Sequence, residues 1–381
     1  MTTLSLCMIC RDNADTIRPC LESIRPWVDE MVVVDTGSKD ATPEIVQEFG
    51  ARLFHFEWCD DFAAARNESL RHARGDWLFW MDTDDTIDIQ NGEKLRCLAQ
   101  GLHSPTTLGY VMQVHCPGAT DGELTVVDHV KLIRNHPELR FEFRIHEQVL
   151  PSIRRLAGGV EWTDIFVIHS GSDQSPEGRL GKCQRDLRIL ELELSERPDH
   201  PFVWFNLGMT YADMDDRVRA ISYLQHCIEI STLDESHLRK AYALLVASLS
   251  QVRDEGHARR VCREGLDLYP DDPELLFLEG RLAHAAGLLD EAEQAYLKIL
   301  TSSTSDRFSS VDPGISSYKA RHNLGLVYVD MGRSDLAEVQ WRNAVGETRS
   351  FEPSRHALVE TLVHQHRVIS ASIATAIATL Y

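Results

Sequence analysis

Three carboxylates follow directly on a run of apolar residues near position 80. The segment 77–81 is wholly apolar, and Asp82, Asp84 and Asp85 come after it, with only Thr83 between the first two. Clustered like charge at the end of a buried strand raises the free energy of the folded protein unless a cation binds there. Two carboxylates separated by one residue can hold Mg²⁺ or Mn²⁺, which in turn binds phosphate oxygens. The sequence therefore predicts a divalent metal site, with a solvated acidic turn as the alternative.

A second apolar run, 31–34, ends in Asp35 and a turn that contains Gly37 and Ser38. An Asp in this place is suited to hydrogen bonding with a nucleobase or a ribose, and the alternative is that it caps the turn. The chain contains neither a Gly-x-Gly-x-x-Gly motif nor a Gly-x-x-x-x-Gly-Lys-Ser/Thr motif. A dinucleotide-binding fold and a P-loop are therefore both disfavoured.

The elements that must position these carboxylates can be predicted from the spacing of apolar residues. Between residues 4 and 87 apolar strands alternate with amphipathic helices, and the strands are expected at 4–10, 30–34, 52–56 and 77–81. This alternation is typical of a mostly parallel sheet with crossover helices. Because the carboxyl ends of parallel strands meet at one edge of the sheet, Asp35, Asp82 and Asp84 should share one crevice. Residues 110–169 are expected to add shorter strands in a mixed, more antiparallel extension.

After residue 176 the sequence becomes almost wholly helical and repeats itself. Small and bulky residues recur in the order typical of tetratricopeptide repeats, and the marker alanine occurs at Ala220, Ala258, Ala292 and Ala337. The intervals are 38, 34 and 45 residues, compared with about 34 in the ideal repeat. Each unit is a pair of helices that buries its apolar face against the next unit. We therefore expect an α/β domain at 1–175, a linking helix at 176–198 and a repeat domain at 199–381.

The charge of the chain limits its partners. Its 381 residues include 59 acidic and 39 basic side chains, a formal net charge of −20, and nucleic-acid binding would require a basic face instead. An acidic protein that binds a nucleoside diphosphate must supply positive charge locally, from a bound cation, a few basic side chains or helix N-termini. No signal peptide and no membrane span are expected, so a cytoplasmic location is predicted. The nine cysteines are expected to be free thiols.

The ordered motifs resemble those of glycosyltransferase family 2, in the branch whose catalytic domain is followed by tetratricopeptide repeats. The segments that carry the resemblance are 6–13, 20–40, 62–67 and 75–85. The resemblance implies a GT-A fold, that is, a Rossmann-like nucleotide-sugar domain, followed here by an all-α solenoid. It also implies a nucleoside diphosphate sugar as donor, with a UDP-sugar favoured, and inversion at the anomeric carbon.

The same resemblance assigns roles to individual residues. It places Asn13, Asp35 and Arg66 at the donor, Asp35 against the nucleoside, and Asp82 with Asp84 at the diphosphate and a Mn²⁺ or Mg²⁺ ion. Asp12 stands where the family usually has Lys or Arg, so the segment that follows the first predicted strand departs from the family pattern.

The general base and a further metal ligand are predicted from the segments that follow. An inverting transfer needs a base near the acceptor hydroxyl, and the segment 143–148 resembles the His-Glu segment of this branch. Glu147 is the candidate base and His146 the residue that orients a substrate or carboxylate, with Asp128 as the competing base. His169, at the end of an apolar run, is a candidate third metal ligand because related folds use a His there; a structural role is the alternative.

Two functions from different classes are compatible with the sequence. The first is an enzyme that transfers a sugar from the nucleotide donor to an acceptor. The second is a protein-binding repeat scaffold whose glycosyltransferase domain is weakly active or inactive. Retention of the clustered carboxylates favours the enzyme. The repeats favour a peptide or protein acceptor, while a glycan or lipid-linked acceptor, the identity of the sugar and the oligomeric state stay open.

Overall fold

The computed structural model describes residues 2–101, 104, 106–118, 124–171, 175–302, 308 and 310–364. The last part of the predicted repeat domain, 365–381, lies outside the described residues. The elements of the α/β half are β1 (Leu4–Cys10), α1 (Ile17–Ile24), a 3₁₀ helix (Arg25–Trp27), β2 (Glu30–Asp35), α2 (Thr42–Glu48), β3 (Arg52–His55), α3 (Phe62–His72), β4 (Trp77–Trp80), β5 (Asp85–Thr86), α4 (Ile89–Gly101), β6 (Thr107–Pro117), β7 (Leu124–Arg134), α5 (Leu150–Arg155) and β8 (Gly159–His169).

In the described part of the chain after β8, the elements are α-helices together with one two-residue strand and a short 3₁₀ helix. They are α6 (Pro176–Glu196), α7 (Pro201–Asp213), α8 (Arg217–Ile230), α9 (Leu238–Gln251), α10 (Glu255–Leu268), α11 (Pro273–Ala285), α12 (Leu289–Thr301), β9 (Ser310–Val311), a 3₁₀ helix (Pro313–Ser316), α13 (Tyr318–Asp330) and α14 (Ser334–Glu347). Residues 352–364 are also helical.

The sheet is mixed, as the sequence predicts. The expectation of shorter strands in the extension is wrong, because β6, β7 and β8 have 11 residues each and are longer than β1 to β4. The main path of the sheet runs in the order β3-β2-β1-β4-β7-β6-β8-β5. The first four of these strands are parallel, whereas β7 runs antiparallel to β4 and β5 runs antiparallel to β8. The four predicted strands are present, with ends that differ from the expectation by at most one residue. The fold class is therefore confirmed, with a mixed α/β sheet followed by helical repeats.

Both faces of the central strands are buried, which explains their continuous apolar sequence. Alternate residues of a strand point to opposite faces, and two separate apolar clusters result. Leu6 and Phe79 belong to the larger cluster, which the helices α1, α2 and α4 cover. Leu78 and Trp80 belong to the second cluster, with residues of α3, α5 and β7. The sheet is thus a rigid support for the loops at its carboxyl edge.

The chain divides into two compact units. The first comprises residues 1–117, 125–232 and 306–310, and the second comprises 118–124, 233–305 and 311–381. The first unit includes the linking helix α6 and the helix pair α7–α8 together with the sheet. Ile189 and Leu190 of α6 form one apolar cluster with Val203 and Leu207 of α7, and Ile145 of the α/β half belongs to the same cluster. The predicted domain boundaries at 175 and 198 remain a prediction, since the contacts themselves join these segments into one unit.

The second unit is made of helix pairs, as expected for tetratricopeptide repeats. Small residues allow paired helices to approach closely, because an added Cβ at Gly280 would meet the Tyr296 ring at 2.6 Å and one at Gly325 would meet the Trp341 side chain at 2.4 Å. Tyr296 and Trp341 are buried in the common core of α11 to α14. The matched small and large residues read from the sequence therefore pack against each other as predicted.

Candidate active site

The candidate donor residues lie at the carboxyl edge of the parallel strands. The register pairs Cys10 at the end of β1 with Asp35 at the end of β2, and Cys7 of β1 with Trp80 at the end of β4. Asp82 follows β4 by two residues. Open α/β sheets bind ligands at this edge, so the structure brings the strand ends of the predicted crevice together.

Asp35 is buried and makes the turn contacts that the alternative interpretation predicted. Its carboxylate accepts hydrogen bonds from the backbone N–H groups of Gly37 and Ser38, each at 3.1 Å. His55 Nδ1 lies 3.5 Å from Oδ2, the oxygen that accepts from Gly37 N–H. The capping role is therefore present in this structure, and the binding of a nucleoside by Asp35 remains a proposal.

Asn13 belongs to the loop between β1 and α1, which is joined to the loop between β2 and α2. The Asn13 side chain accepts a hydrogen bond from Arg11 N–H at 2.9 Å, and Asn13 N–H donates to Thr42 Oγ1 at 2.7 Å. Asp12, in a left-handed conformation with φ of 50°, accepts from Lys39 N–H at 2.7 Å. The atypical Asp12 thus holds the two loops together through a backbone amide.

The acidic cluster after β4 includes a candidate metal ligand, Asp85, that the sequence argument left out. One ligand atom each of Asp82, Asp85 and His169 lies within 4.8 Å of the other two, whereas the sequence assigned the metal to Asp82, Asp84 and His169. Asp85 is fully buried, and His169 Nδ1 lies 2.9 Å from its Oδ1. Asp84 also lies near His169, at 3.5 Å. His169 is thus brought to the cluster, 84 positions along the chain from Asp85.

Lys131 of β7 neutralises Asp85 inside the protein. Its Nζ donates to Asp85 Oδ2 at 2.8 Å, and both side chains are almost fully buried. The same oxygen accepts a hydrogen bond from Asp82 N–H at 3.0 Å, and the Lys131 ammonium lies 3.7 Å from the centre of the Trp80 ring. No pattern in the sequence pointed to Lys131, because it is a single lysine within a strand. Groups of the protein itself therefore satisfy the Asp85 carboxylate.

Asp84 is the carboxylate of the cluster with the fewest partners. Among the residues that the structure describes, His169 is the one cationic side chain within ion-pair distance of it. Burial raises the pKa of Asp84, and the neighbouring charges of Asp82 and Asp85 raise it further, although His169 opposes them. A buried carboxylate whose negative charge is only partly compensated by its neighbours would be stabilised by a bound cation.

Arg66 joins the acidic cluster to the candidate base. The side chain projects from α3, whose N-cap Asp61 accepts from Ala64 N–H at 2.8 Å, a favoured way of starting a helix. Arg66 Nη2 donates to Asp82 and Nε donates to Glu147. Burial alone would lower the pKa of Arg66, but the two carboxylates outweigh it and raise the pKa above its usual value. Burial alone would likewise raise the pKa of Asp82, but Arg66 and Lys131 outweigh it and lower that pKa.

Glu147 and His146 lie in a tightly held segment. Glu142 and Gln148 exchange backbone hydrogen bonds of 2.9 Å, so that the residues between them form a closed loop. His146 has a left-handed backbone with φ of 54°. Its Nε2 is buried and has no hydrogen-bond partner among the described residues, and burial lowers its pKa. The Glu147 side chain is only 11% exposed, and the competing base Asp128 lies in β7.

Comparison with known proteins agrees with this geometry. The family "Glycosyl transferase family 2" matches residues 5–146, and "Tetratricopeptide repeat" matches residues 203–232. A TPR repeat-containing protein of Synechococcus elongatus is 30% identical over 351 residues, which cover 91% of this chain and 75% of the relative. This chain belongs to glycosyltransferase family 2, in the branch with C-terminal tetratricopeptide repeats.

Two further relatives carry glycosyltransferase names. The SPbeta prophage-derived glycosyltransferase SunS of Bacillus subtilis is 24% identical over 327 residues, which cover 81% of this chain and 75% of SunS. The putative glycosyltransferase EpsH of the same organism is 35% identical over 92 residues, 22% of this chain and 26% of EpsH. The segment that matches the family includes the carboxyl ends of β1, β2 and β4 and also Arg66, and it ends at His146.

The residues of this glycosyltransferase fit a divalent cation. Asp82, Asp84, Asp85 and Glu147 carry four negative charges, whereas the buried cations beside them, Arg66 and Lys131, carry two. These groups leave about two negative charges. The hydrogen bond to Asp85 raises the pKa of His169 and favours the protonated ring, whereas a divalent ion bound to His169 would require the neutral ring and would balance both charges. Among the described residues, no helix is long and apolar enough to cross a membrane.

Proposed function

We propose that this glycosyltransferase moves a sugar from a nucleoside diphosphate sugar to an acceptor with inversion at the anomeric carbon, and that a UDP-sugar is the donor. The observation that carries the proposal is the position of Arg66, which contacts both Asp82 of the acidic cluster and Glu147 of the neighbouring loop. One side chain thus links a group suited to the donor diphosphate with a group suited to the acceptor.

The donor is proposed to bind at the carboxyl edge of the sheet. Asp35 and Asn13 lie in the joined loops after β2 and β1, where a nucleoside would contact them. Asp82, Asp84 and His169 are the residues proposed to hold Mn²⁺ or Mg²⁺. Asp85, whose Oδ1 lies 2.9 Å from His169 Nδ1, is proposed to orient the imidazole ring. When bound, such an ion would neutralise charge on the departing diphosphate.

Glu147 is proposed as the general base. In the transfer, the acceptor hydroxyl oxygen forms a bond to the anomeric carbon while the bond from that carbon to the diphosphate oxygen breaks. The hydroxyl proton goes to a carboxylate oxygen of Glu147, and the bonding electrons leave with the nucleoside diphosphate. Arg66 occupies Oε1 of Glu147, so Oε2 is the oxygen proposed to accept the proton.

The acceptor is proposed to be a peptide or protein that the repeats hold. Support comes from the repeat architecture, since stacked helix pairs provide extended surfaces on which peptides are commonly bound. The competing function, a binding scaffold without catalysis, has less support because buried, partly uncompensated carboxylates are costly to retain without a cation or substrate.

A donor screen would test the proposal. Binding of UDP-, GDP- and dTDP-sugars should be measured by calorimetry with Mn²⁺ and with excess chelator, and slow donor hydrolysis should be followed in parallel. We expect metal-dependent binding and hydrolysis of a UDP-sugar. If none of these nucleotide sugars binds with or without Mn²⁺, the scaffold function is supported. Full activity in excess chelator would overturn the proposed role of the metal.

A further inference from the structure

His129 of β7 lies at the edge of the sheet that carries the acidic cluster, and the proposed mechanism does not use it. β7 runs antiparallel to β4, and the register pairs Leu132 with Phe79. Counted three residues further along both chains, this register places His129 level with Asp82. β7 therefore brings this histidine to the place where the chain leaves β4 and enters the acidic cluster.

The direction of the His129 side chain is fixed by its contact with Trp80. Alternate residues of a strand share a face of the sheet, so His129 lies on the same face as Lys131. Its ring stands edge-on to the Trp80 ring, with 5.7 Å between the ring centres and 82° between the planes. The Lys131 ammonium and the Arg66 guanidinium lie 3.7 Å and 4.4 Å from the centre of the same ring. The imidazole is therefore packed against the tryptophan that also holds the guanidinium joining the acidic cluster to the candidate base.

The His129 ring is half-buried and neutral. Burial, and then the charge of Lys131, lower the pKa of His129 to about 4. Arg66 also lowers this pKa and Asp82 opposes the shift, which agrees with the position of the ring beside both groups. Neither ring nitrogen has a hydrogen-bond partner among the described residues. A neutral imidazole has one N–H donor and one acceptor nitrogen, so the ring can form two further hydrogen bonds.

The chemistry of a neutral imidazole is suited to a hydroxyl group. A hydroxyl both donates and accepts a hydrogen bond, as the two nitrogens of the ring do. A diphosphate offers acceptors alone, and cations bind it more strongly than a neutral ring does. His129 is therefore better matched to the hydroxyl groups of a substrate than to its phosphates.

The order of the strands indicates which hydroxyl groups would lie near His129. In the sheet, β7 lies on the opposite side of β4 from β1 and β2, and the loops after β1 and β2 are proposed to bind the nucleoside. The diphosphate, which is proposed to lie at the end of β4, would thus separate the ribose from the β7 side. The part of the donor that would lie on the β7 side is the sugar.

We propose that His129 hydrogen-bonds a hydroxyl group of the sugar that the donor carries, and that it thereby contributes to the choice of sugar. This inference rests on the proposed function, because it assumes a nucleotide sugar bound at the acidic cluster. A site that hydrogen-bonds a substrate hydroxyl discriminates against a sugar that lacks the hydroxyl at that position. His129 orients the sugar in this proposal, and Glu147 remains the proton acceptor.

Calorimetry with UDP and with UDP-sugars separates contact with the sugar from contact with the nucleotide. The full chain is titrated in Mn²⁺ with UDP and with the UDP derivatives of glucose, galactose, N-acetylglucosamine and N-acetylgalactosamine. His129→Phe keeps a ring against Trp80 but removes both nitrogens. We expect the affinity of His129→Phe for the tightest-binding UDP-sugar to fall by about threefold to tenfold, because a hydrogen bond is lost. Its affinity for UDP should not change.

His226→Phe is the matched control, because His226 of α8 also packs against a tryptophan, with 4.1 Å between its ring centre and that of Trp204. It should leave both affinities unchanged. His129→Gln, which keeps a donor and an acceptor, is the second variant and should lose less affinity for the UDP-sugar than His129→Phe. Melting temperatures of the variants show whether each one folds, and if His129→Phe does not, a fall in affinity of His129→Gln for the UDP-sugar alone is the expected result.

The outcomes for UDP and for the UDP-sugar distinguish this inference from the proposed function. If the unaltered chain binds a UDP-sugar and the folded His129 variants bind it equally well, His129 does not contact the sugar. An equal loss of affinity for UDP and for the UDP-sugar would also overturn the inference, since the effect would not depend on the sugar. In both cases the proposed function would stand. If the unaltered chain binds neither UDP nor any of the four UDP-sugars, the proposed UDP-sugar donor is wrong and the inference fails with it.

Discussion

Arg66 Nε donates a hydrogen bond to Glu147 across 81 positions of the sequence. The contact lies inside the protein, because the Arg66 side chain is 7% exposed and that of Glu147 is 11% exposed. Arg66 also donates to Asp82 and lies over the Trp80 ring, 4.4 Å from its centre. One guanidinium group therefore joins the candidate base to the acidic cluster.

Replacing Arg66 with Gln should disrupt both sides of the site. Glu147, whose side chain is 11% exposed, and Asp82, whose side chain is 36% exposed, would lose their cation. Breaking a buried pair such as the one with Glu147 typically costs about 3–5 kcal/mol. We expect a lower melting temperature and a fall in transfer of about a hundredfold or more. Arg71→Gln, on the same helix but with an exposed arginine, is the matched control and should change neither. Normal transfer by Arg66→Gln would contradict the bridging role.

Replacing Glu147 with Gln removes the proposed proton acceptor while keeping the shape of the side chain. Transfer should fall by about a hundredfold or more, and donor affinity should change little. The measurement is the rate of transfer at saturating donor together with the donor dissociation constant. Asp128→Asn is the control. If Asp128→Asn abolishes transfer and Glu147→Gln does not, Asp128 is the base.

The two neighbouring aspartates after Thr83 should respond differently to neutralisation. Asp84→Asn should abolish metal-dependent donor binding, yet leave the free energy of unfolding unchanged or slightly higher at neutral pH. The reason is that burial raises the pKa of Asp84, so its ionised form destabilises the folded state at neutral pH. Thermal unfolding and donor calorimetry with Mn²⁺ check both expectations. Metal-dependent binding by Asp84→Asn would rule out its role as a ligand.

Asp85→Asn should instead destabilise the protein. Lys131 is almost fully buried and donates to Asp85, and the change leaves this ammonium without its carboxylate, at a cost of about 3–5 kcal/mol. Chemical denaturation measures this loss. The double change Asp85→Asn with Lys131→Met removes both charges and should recover part of it. Equal stability of Asp85→Asn and the unaltered chain would show that the ion pair contributes no net stability.

The linking helix should influence catalysis through the loop that carries Glu147. Glu193 of α6 is buried and accepts from Arg144 N–H at 2.5 Å, three positions before Glu147. Glu193→Gln should lower the transfer rate by about tenfold, because a small displacement of a catalytic group is costly, while donor affinity is retained. Glu191→Gln, exposed on the same helix, is the control. A parallel fall in donor affinity would indicate general unfolding rather than loss of positioning.

A truncated chain should be soluble and bind donor only if it retains the first helix pair, α7–α8. The first compact unit extends to residue 232, so we expect a chain ending there to be soluble and to bind donor. A chain ending at residue 198 would expose Ile189 and Leu190, which pack against α7, and should aggregate. If the chain that ends at residue 232 binds donor but does not turn over the acceptor, acceptor recognition lies in the later repeats.

Much of the fold follows from local patterns in the sequence. The apolar runs before Asp35 and Asp82 specify buried parallel strands, and such strands place their carboxyl ends at one edge whatever the details of the packing. The recurring alanines specify stacked helix pairs for the same reason, since each pair must bury an apolar face against a neighbour. The acidic cluster and the order of the two halves were therefore predictable.

The partners of the charged groups were decided by the tertiary structure. Lys131 reaches Asp85 because β7 lies antiparallel beside β4, and Glu193 reaches the Glu147 loop because α6 packs on Ile145. Both contacts depend on the register of the strands and on the directions of the side chains. The partners lie tens of positions apart, so local sequence patterns do not predict these contacts. The sequence alone thus determined which edge of the sheet carries the acidic residues. The packing of β7 and α3 decided that Asp85 pairs with Lys131 and that Asp82 and Glu147 share Arg66, and the packing of α6 holds the loop that carries Glu147.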